Sequence, residues 1–235
     1  MIVDIDNSES VQTFVKKVTQ NWFDPDKMYF ALVANGKISG DFWHITDDLL
    51  DRISEYLGQT QEEFLNIWDL KCSTYSVKIM GYHCTRHSNK NIYSEKGILP
   101  LSAETIKIND AQSIEAKGMW EYRSQPTPGP FFLLSYEFAK NPNNGFCSHG
   151  AEILTGCKGH HIDSNPVESV PLIIHCAIPY LLLPDPDKNY YAFTILKAYF
   201  NFIDPDDSNN LFEGYSIDLK GDKLDPEHIV QIEEN

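Results

Sequence analysis

Behind Ser10 the apolar residues Val11, Phe14, Val15, Val18 and Trp22 fall three and four apart, the spacing that lines one face of a helix. This predicts a helix over residues 11–22, ended by the proline-containing segment 24–27. Residues 28–36, MYFALVANG, alternate and are rich in aromatic and branched side chains, so they read as a strand. Asn35-Gly36 then turns that strand into a hairpin with KISGDFWHI. Two short helices follow. Thr46 caps DDLLDRISEYLG, which carries acids in its first turn and Gly58 past its end, and Thr60 with Glu63 forms a capping box for QEEFLNIWDL.

From residue 74 the texture changes. Residues 74–86 read as a strand, 89–97 as a short helix stopped by Gly97, and 102–117 as a helix behind Ser102. Residues 129–138, 169–183, 190–203 and 213–219 read as further strands separated by turns with Pro, Asn and Asp. Helices first and strands later, with few helical crossovers, predict an α+β fold. Its sheet is expected to be mainly antiparallel or mixed, with residues 1–70 forming a helical and hairpin segment packed on a main domain of 71–235.

Composition supports a folded protein. Of 235 residues 42% are hydrophobic and 12% aromatic, enough for a sizeable core. The 34 acidic and 19 basic side chains give a net charge of −15, but unevenly: residues 1–70 and 204–235 each carry −8, whereas 71–203 carry +1. An anionic ligand meets least repulsion in the middle. The opening lacks a basic segment followed by an apolar one, and the longest apolar run, near residues 180–183, is far below the roughly 20 residues a spanning helix needs. Neither export nor membrane insertion is expected. Five irregularly spaced cysteines read as reduced thiols in a cytoplasm.

The most informative chemistry lies in GYHCTRHSNKNIYSEKGILPLS, residues 81–102. Strand alternation puts His83 and Thr85 on one face and Tyr82 and Cys84 on the other, with Arg86 nearby. Imidazole and hydroxyl suit sugar hydroxyls, and a guanidinium suits a phosphate. No glycine-rich phosphate loop of the dinucleotide-fold or P-loop type is present, so a nucleotide would be held another way.

This block resembles the first motif of ADP-ribosyltransferases, a strand ending in His-x-Thr or His-x-x-Arg followed by a short helix and Gly-Ile or Gly-Leu. The matching positions are His83, Thr85, Arg86, Ile92, Gly97 and Ile98, continued by Leu99-Pro100-Leu101. The stretch 129–154 is similar to bacterial relatives with an aromatic strand and a Gly-Gly-Glu element, represented here by Gly150-Ala151-Glu152. The resemblance covers about residues 75–235. It implies a split sheet with a central cleft that takes NAD as a substrate. His83 would contact the adenine-side ribose, Thr85 and Arg86 would assist binding, and Tyr136 would stack on the nicotinamide. A glutamate, Glu152 or Glu213, would bond the nicotinamide-ribose hydroxyl and stabilise positive charge as nicotinamide leaves. The implied activity is mono-ADP-ribosyl transfer to a macromolecular acceptor, protein or nucleic acid, as in bacterial toxins or phage-defence effectors with neutralising partner proteins. The chain lacks the Ser-Thr-Ser element and the Glu-x-Glu or Gln-x-Glu pair of better-known members, which leaves the acceptor open.

Two other readings stand beside this one. The acidic flanks suit a binding module that mimics nucleic acid, whose association with its partner would be salt-sensitive. Cys147, His149, Cys157, His160, His161, His175 and Cys176 offer the ligand types for a structural zinc, but their spacing matches no familiar finger. No metal is therefore assigned.

Overall fold

The computed structural model describes residues 1–37, 49–87, 89–100, 129–141, 170–204 and 216–235. Among these the chain is α+β, with seven α-helices and one six-stranded sheet. In chain order they are β1 (Ile2–Val3), α1 (Ser8–Thr19), α2 (Pro25–Ala34), α3 (Leu49–Leu57), α4 (Gln61–Thr74), β2 (Lys78–His87) and α5 (Asn91–Lys96). Then come β3 (Phe131–Leu133), α6 (Tyr136–Lys140), β4 (Val170–Pro179), α7 (Asp185–Ile203), β5 (Ser216–Asp218) and β6 (Ile229–Glu234). The chain folds as two compact units, Met1–Ile79 with Pro179–Glu213, and Met80–Ile178 with Gly214–Asn235. Where the sequence suggests one boundary at residue 70, the chain passes between units after residues 79, 178 and 213.

The first unit is built on α1, α2, α4 and α7. Asn7 caps α1 by accepting from the Ser10 amide, so the helix starts three residues earlier than the hydrophobic spacing alone indicates. Val11, Phe14, Val15 and Val18 are fully buried. Thr60 and Glu63 form the expected capping box of α4: the Thr60 amide donates to Glu63 Oε2 at 2.8 Å and the Glu63 amide to Thr60 Oγ1 at 3.2 Å. Thr60→Ala is expected to cost about 1 kcal/mol, read as a lower midpoint in calorimetry.

Two expected strands are helices. Residues 28–34 belong to α2, and Asn35 is its C-cap rather than part of a hairpin turn. Asp24 accepts from the amides of Asp26 and Lys27, which holds its carboxyl below the usual range, and Pro25 occupies the first turn. Those two residues start a helix rather than break one. Pro25, Met28, Tyr29 and Leu32 are its buried stripe, a helical spacing hidden among apolar neighbours.

Residues 190–203 belong to α7. The helix is buried around most of its circumference from Tyr191 to Phe200, so it shows no polar face to reveal its period. Three tyrosine–aspartate hydrogen bonds tie this unit together: Tyr29 to Asp204 at 3.0 Å, Tyr199 to Asp26, and Tyr180 to Asp69.

The second unit is built on the sheet, with strand order β5-β3-β2-β4-β6. Its registered pairings are antiparallel: Tyr82 faces Leu133, Phe132 faces Ile217, and Ile173 faces Glu233. Among the registered pairings of the described residues the short β1 is the parallel one, with the start of β2 inside the first unit. Alternation gives the sheet two distinct faces. Tyr82, Ile173 and Ala139 of α6 are buried together on one, with Met80, Cys84, Leu133 and Tyr136 against them. Gly81, His83 and Thr85 belong to the other, along with Phe132. A Cβ at Gly81 would lie 2.7 Å from Ile178 Cδ1 and 2.9 Å from Phe132 Cβ, so a glycine is needed where the strands crowd.

Candidate functional site

The His-x-Thr segment forms the strand and short helix expected of it. His83 is partly buried on β2, its ring 5.6 Å from that of Phe132. Its Nδ1 lies 2.8 Å from the Phe131 carbonyl oxygen. A carbonyl only accepts, so Nδ1 carries the proton and Nε2 holds a lone pair, with no partner for it among the described residues. Burial pushes the imidazole below its ordinary value, against a smaller upward effect of the Phe131 hydrogen bond. At neutral pH His83 is an acceptor at Nε2, suited to a hydroxyl donor.

Thr85 lies two residues along the same face, its Oγ1 3.2 Å from the hydroxyl of Tyr93 on α5. Burial raises the Tyr93 phenol above its ordinary value, so it stays protonated. The helix then stops at Gly97, whose φ of +76° lies in the left-handed region. Ile98 continues by exchanging both backbone hydrogen bonds with Leu224, at 2.8 and 2.9 Å.

Tyr136 does not join this group. The expected strand over 129–138 ends at Leu133, and Ser135 caps α6 by accepting from the Phe138 amide at 3.1 Å. Tyr136 therefore starts a helix on the α6-covered face of the sheet, its ring 5.4 Å from Tyr82. His83, next to Tyr82 in the strand, points to the other face.

On the α6 face the structure assembles a group that spacing did not reveal. Glu233 accepts from the Tyr136 hydroxyl at 2.9 and 3.0 Å, and its Oε2 lies 3.1 Å from His175 Nε2. The Glu233 hydrogen bond raises the Tyr136 phenol above its ordinary value. The rings of Tyr82, Tyr136 and His175 are 5.1 to 5.4 Å apart, pair by pair. His175 stands out in sequence only as a polar residue in an apolar run. Glu233 gains meaning only when β6 pairs with β4.

Of the remaining expected site residues, Glu152 and Glu213 lie outside the described residues, and so does the side chain of Arg86. The same holds for Cys147, His149, Cys157, His160 and His161. His175 is engaged with Glu233, while Cys176 is fully buried and donates weakly to the Ile174 carbonyl at 3.6 Å. Among the described residues no group of three or more His, Cys, Asp and Glu side chains is placed to hold a metal ion. Comparison with known proteins finds no matching family model, no similar curated protein and no matching solved structure.

Proposed function

We propose that the protein is an NAD-consuming mono-ADP-ribosyltransferase that works in the cytoplasm on a macromolecular acceptor, protein or nucleic acid. One observation supports this best. His83 is locked by Phe131 in the tautomer that leaves Nε2 as an acceptor, two residues from a hydroxyl on the same face, as binding a ribose diol requires. The middle of the chain, at +1 between flanks of −8, is where a pyrophosphate meets least repulsion. Among the described residues no helix is long and apolar enough to cross a membrane.

In this reading the bond between the ribose and nicotinamide breaks, and nicotinamide leaves with the electron pair. The acceptor nucleophile bonds to the ribose carbon and gives up its proton. Glu152 or Glu213 stabilises the positive charge on the ribose as it develops. The stacking aromatic is drawn from the side of the sheet that carries His83, where Tyr93 and Phe132 lie, and not from Tyr136. The toxin-like resemblance adds a neutralising partner protein.

The test is nicotinamide release from NAD, followed by chromatography with and without candidate protein and RNA acceptors. His83→Ala is expected to weaken NAD binding, seen chiefly in KM. Replacing the operative glutamate by glutamine is expected to lower kcat about 100- to 1,000-fold, as loss of a preorganised charge-stabilising group does. Wild-type protein that neither binds nor cleaves NAD under any of these conditions overturns the proposal.

A further inference from the structure

We propose a second, separate site on the α6-covered face: a general base at His175, oriented by Glu233, that activates water toward an ester. The inference starts from hydrogen-bond donors. An ionised carboxylate only accepts, so the 3.1 Å contact with Glu233 puts a proton on His175 Nε2. In the neutral ring the lone pair is then at Nδ1, which has no partner among the described residues. The side chain keeps 16% exposure, so this nitrogen belongs to a rim rather than to a sealed core.

The orientation is held from several sides. Tyr136 donates to Glu233 and fixes the carboxylate, the Tyr82 ring meets the imidazole edge-on at 81°, and Tyr136 flanks it at 45°. The Lys140 ammonium sits 4.9 Å over the Tyr136 ring and pairs with Glu137 at 2.8 Å, so among the described residues a cation and a further anion lie beside the Tyr136 ring. A carboxylate holding one imidazole nitrogen while the other is open is the arrangement of a base that takes a proton from an oxygen nucleophile.

The fitting reaction is one in which the same nitrogen removes a proton and later returns it. His175 Nδ1 takes a proton from water, the water oxygen bonds to the ester carbonyl carbon, and the carbon–oxygen bond of the ester breaks. The departing oxygen leaves with the electron pair and takes the proton from the imidazolium. No oxidant, reductant or metal is consumed. This site does not depend on NAD chemistry, because its residues lie on the other face of the sheet from His83 and Thr85.

The experiment is hydrolysis of 4-nitrophenyl acetate by the full chain, with folding of each variant checked by circular dichroism. Wild type is expected to exceed the buffer rate and to slow in D2O, as rate-limiting proton transfer demands. His175→Ala and His175→Gln are each expected to lower kcat/KM about 100-fold, the ordinary scale of general-base catalysis. The glutamine variant retains a donor toward Glu233, so it separates lost chemistry from lost packing. Glu233→Gln, which removes the positioning carboxylate, is expected to lower kcat while leaving KM unchanged. Folded His175 variants that hydrolyse the ester at the wild-type rate overturn the proposal, as does a wild type no faster than buffer.

Discussion

Gly97→Ala is expected to destabilise the second unit by roughly 3 kcal/mol, from the penalty for left-handed backbone plus the cost of overpacking. The residue sits at φ +76°, and a Cβ there would lie 2.0 Å from the Leu224 carbonyl oxygen and 3.0 Å from its carbon. Both obstacles are backbone, so no side-chain rotation relieves them. The Leu224 carbonyl also accepts from the Ile98 amide, and the reverse bond runs from the Leu224 amide to the Ile98 carbonyl. Any shift that admits a methyl group breaks this exchange. Hydrogen exchange should therefore show the amides of Ile98 and Leu224 losing protection, and urea unfolding should show a lower midpoint. Lys96→Ala, at an exposed position one residue earlier, should change neither. Unaltered protection at Ile98 and Leu224 in the glycine variant would falsify this account of why the helix stops there.

Trp68→Ala is expected to cost about 3 to 5 kcal/mol, the range for emptying a large aromatic site in a core. Trp68 is fully buried on α4, edge-on to Phe14 of α1 at 5.6 Å and stacked with Phe64 at 6.0 Å. A fold whose total stability is on the order of 5 to 15 kcal/mol loses much of it at one residue. Trp68→Phe should behave differently. The indole Nε1 is buried without a hydrogen-bond partner among the described residues, so phenylalanine keeps most of the ring and removes an unsatisfied donor. Thermal unfolding should place the phenylalanine variant much nearer wild type than the alanine variant. Equal losses in the two would show that the ring retained by phenylalanine does not carry the stability, and would overturn this reading of the site.

How legible these features were depended on where their determinants lie. The capping box at Thr60 and Glu63 is complete within four residues, and so was readable. The stop at Gly97 was readable too, because it is a local backbone demand, although the Leu224 carbonyl that enforces it is over a hundred residues away. By contrast, residues 28–34 of α2 are all apolar and residues 190–203 of α7 mostly so, and for such runs a two-residue and a 3.6-residue period fit about equally well. Only their starts, Asp24-Pro25 and Asp185-Pro186, distinguished them, and the same pairs also begin turns.

The candidate sites divide in the same way. That His83 and Thr85 share a face follows from strand alternation, which needs no knowledge of neighbours. That His83 presents Nε2 rather than Nδ1 was decided by Phe131, 48 residues away on the adjacent strand. Tyr136 left its expected role because Ser135 ended the strand and opened a helix on the opposite face.

The amino-acid order alone determined the caps, the stops and the two-residue alternation of β2, since each arises between groups a few bonds apart. Tertiary structure alone decided which buried segments became helix and which faces carry which side chains. It also decided that Glu233 meets both Tyr136 and His175. Those outcomes rest on strand pairing and burial between residues tens to a hundred positions apart, and chain spacing does not encode such distances.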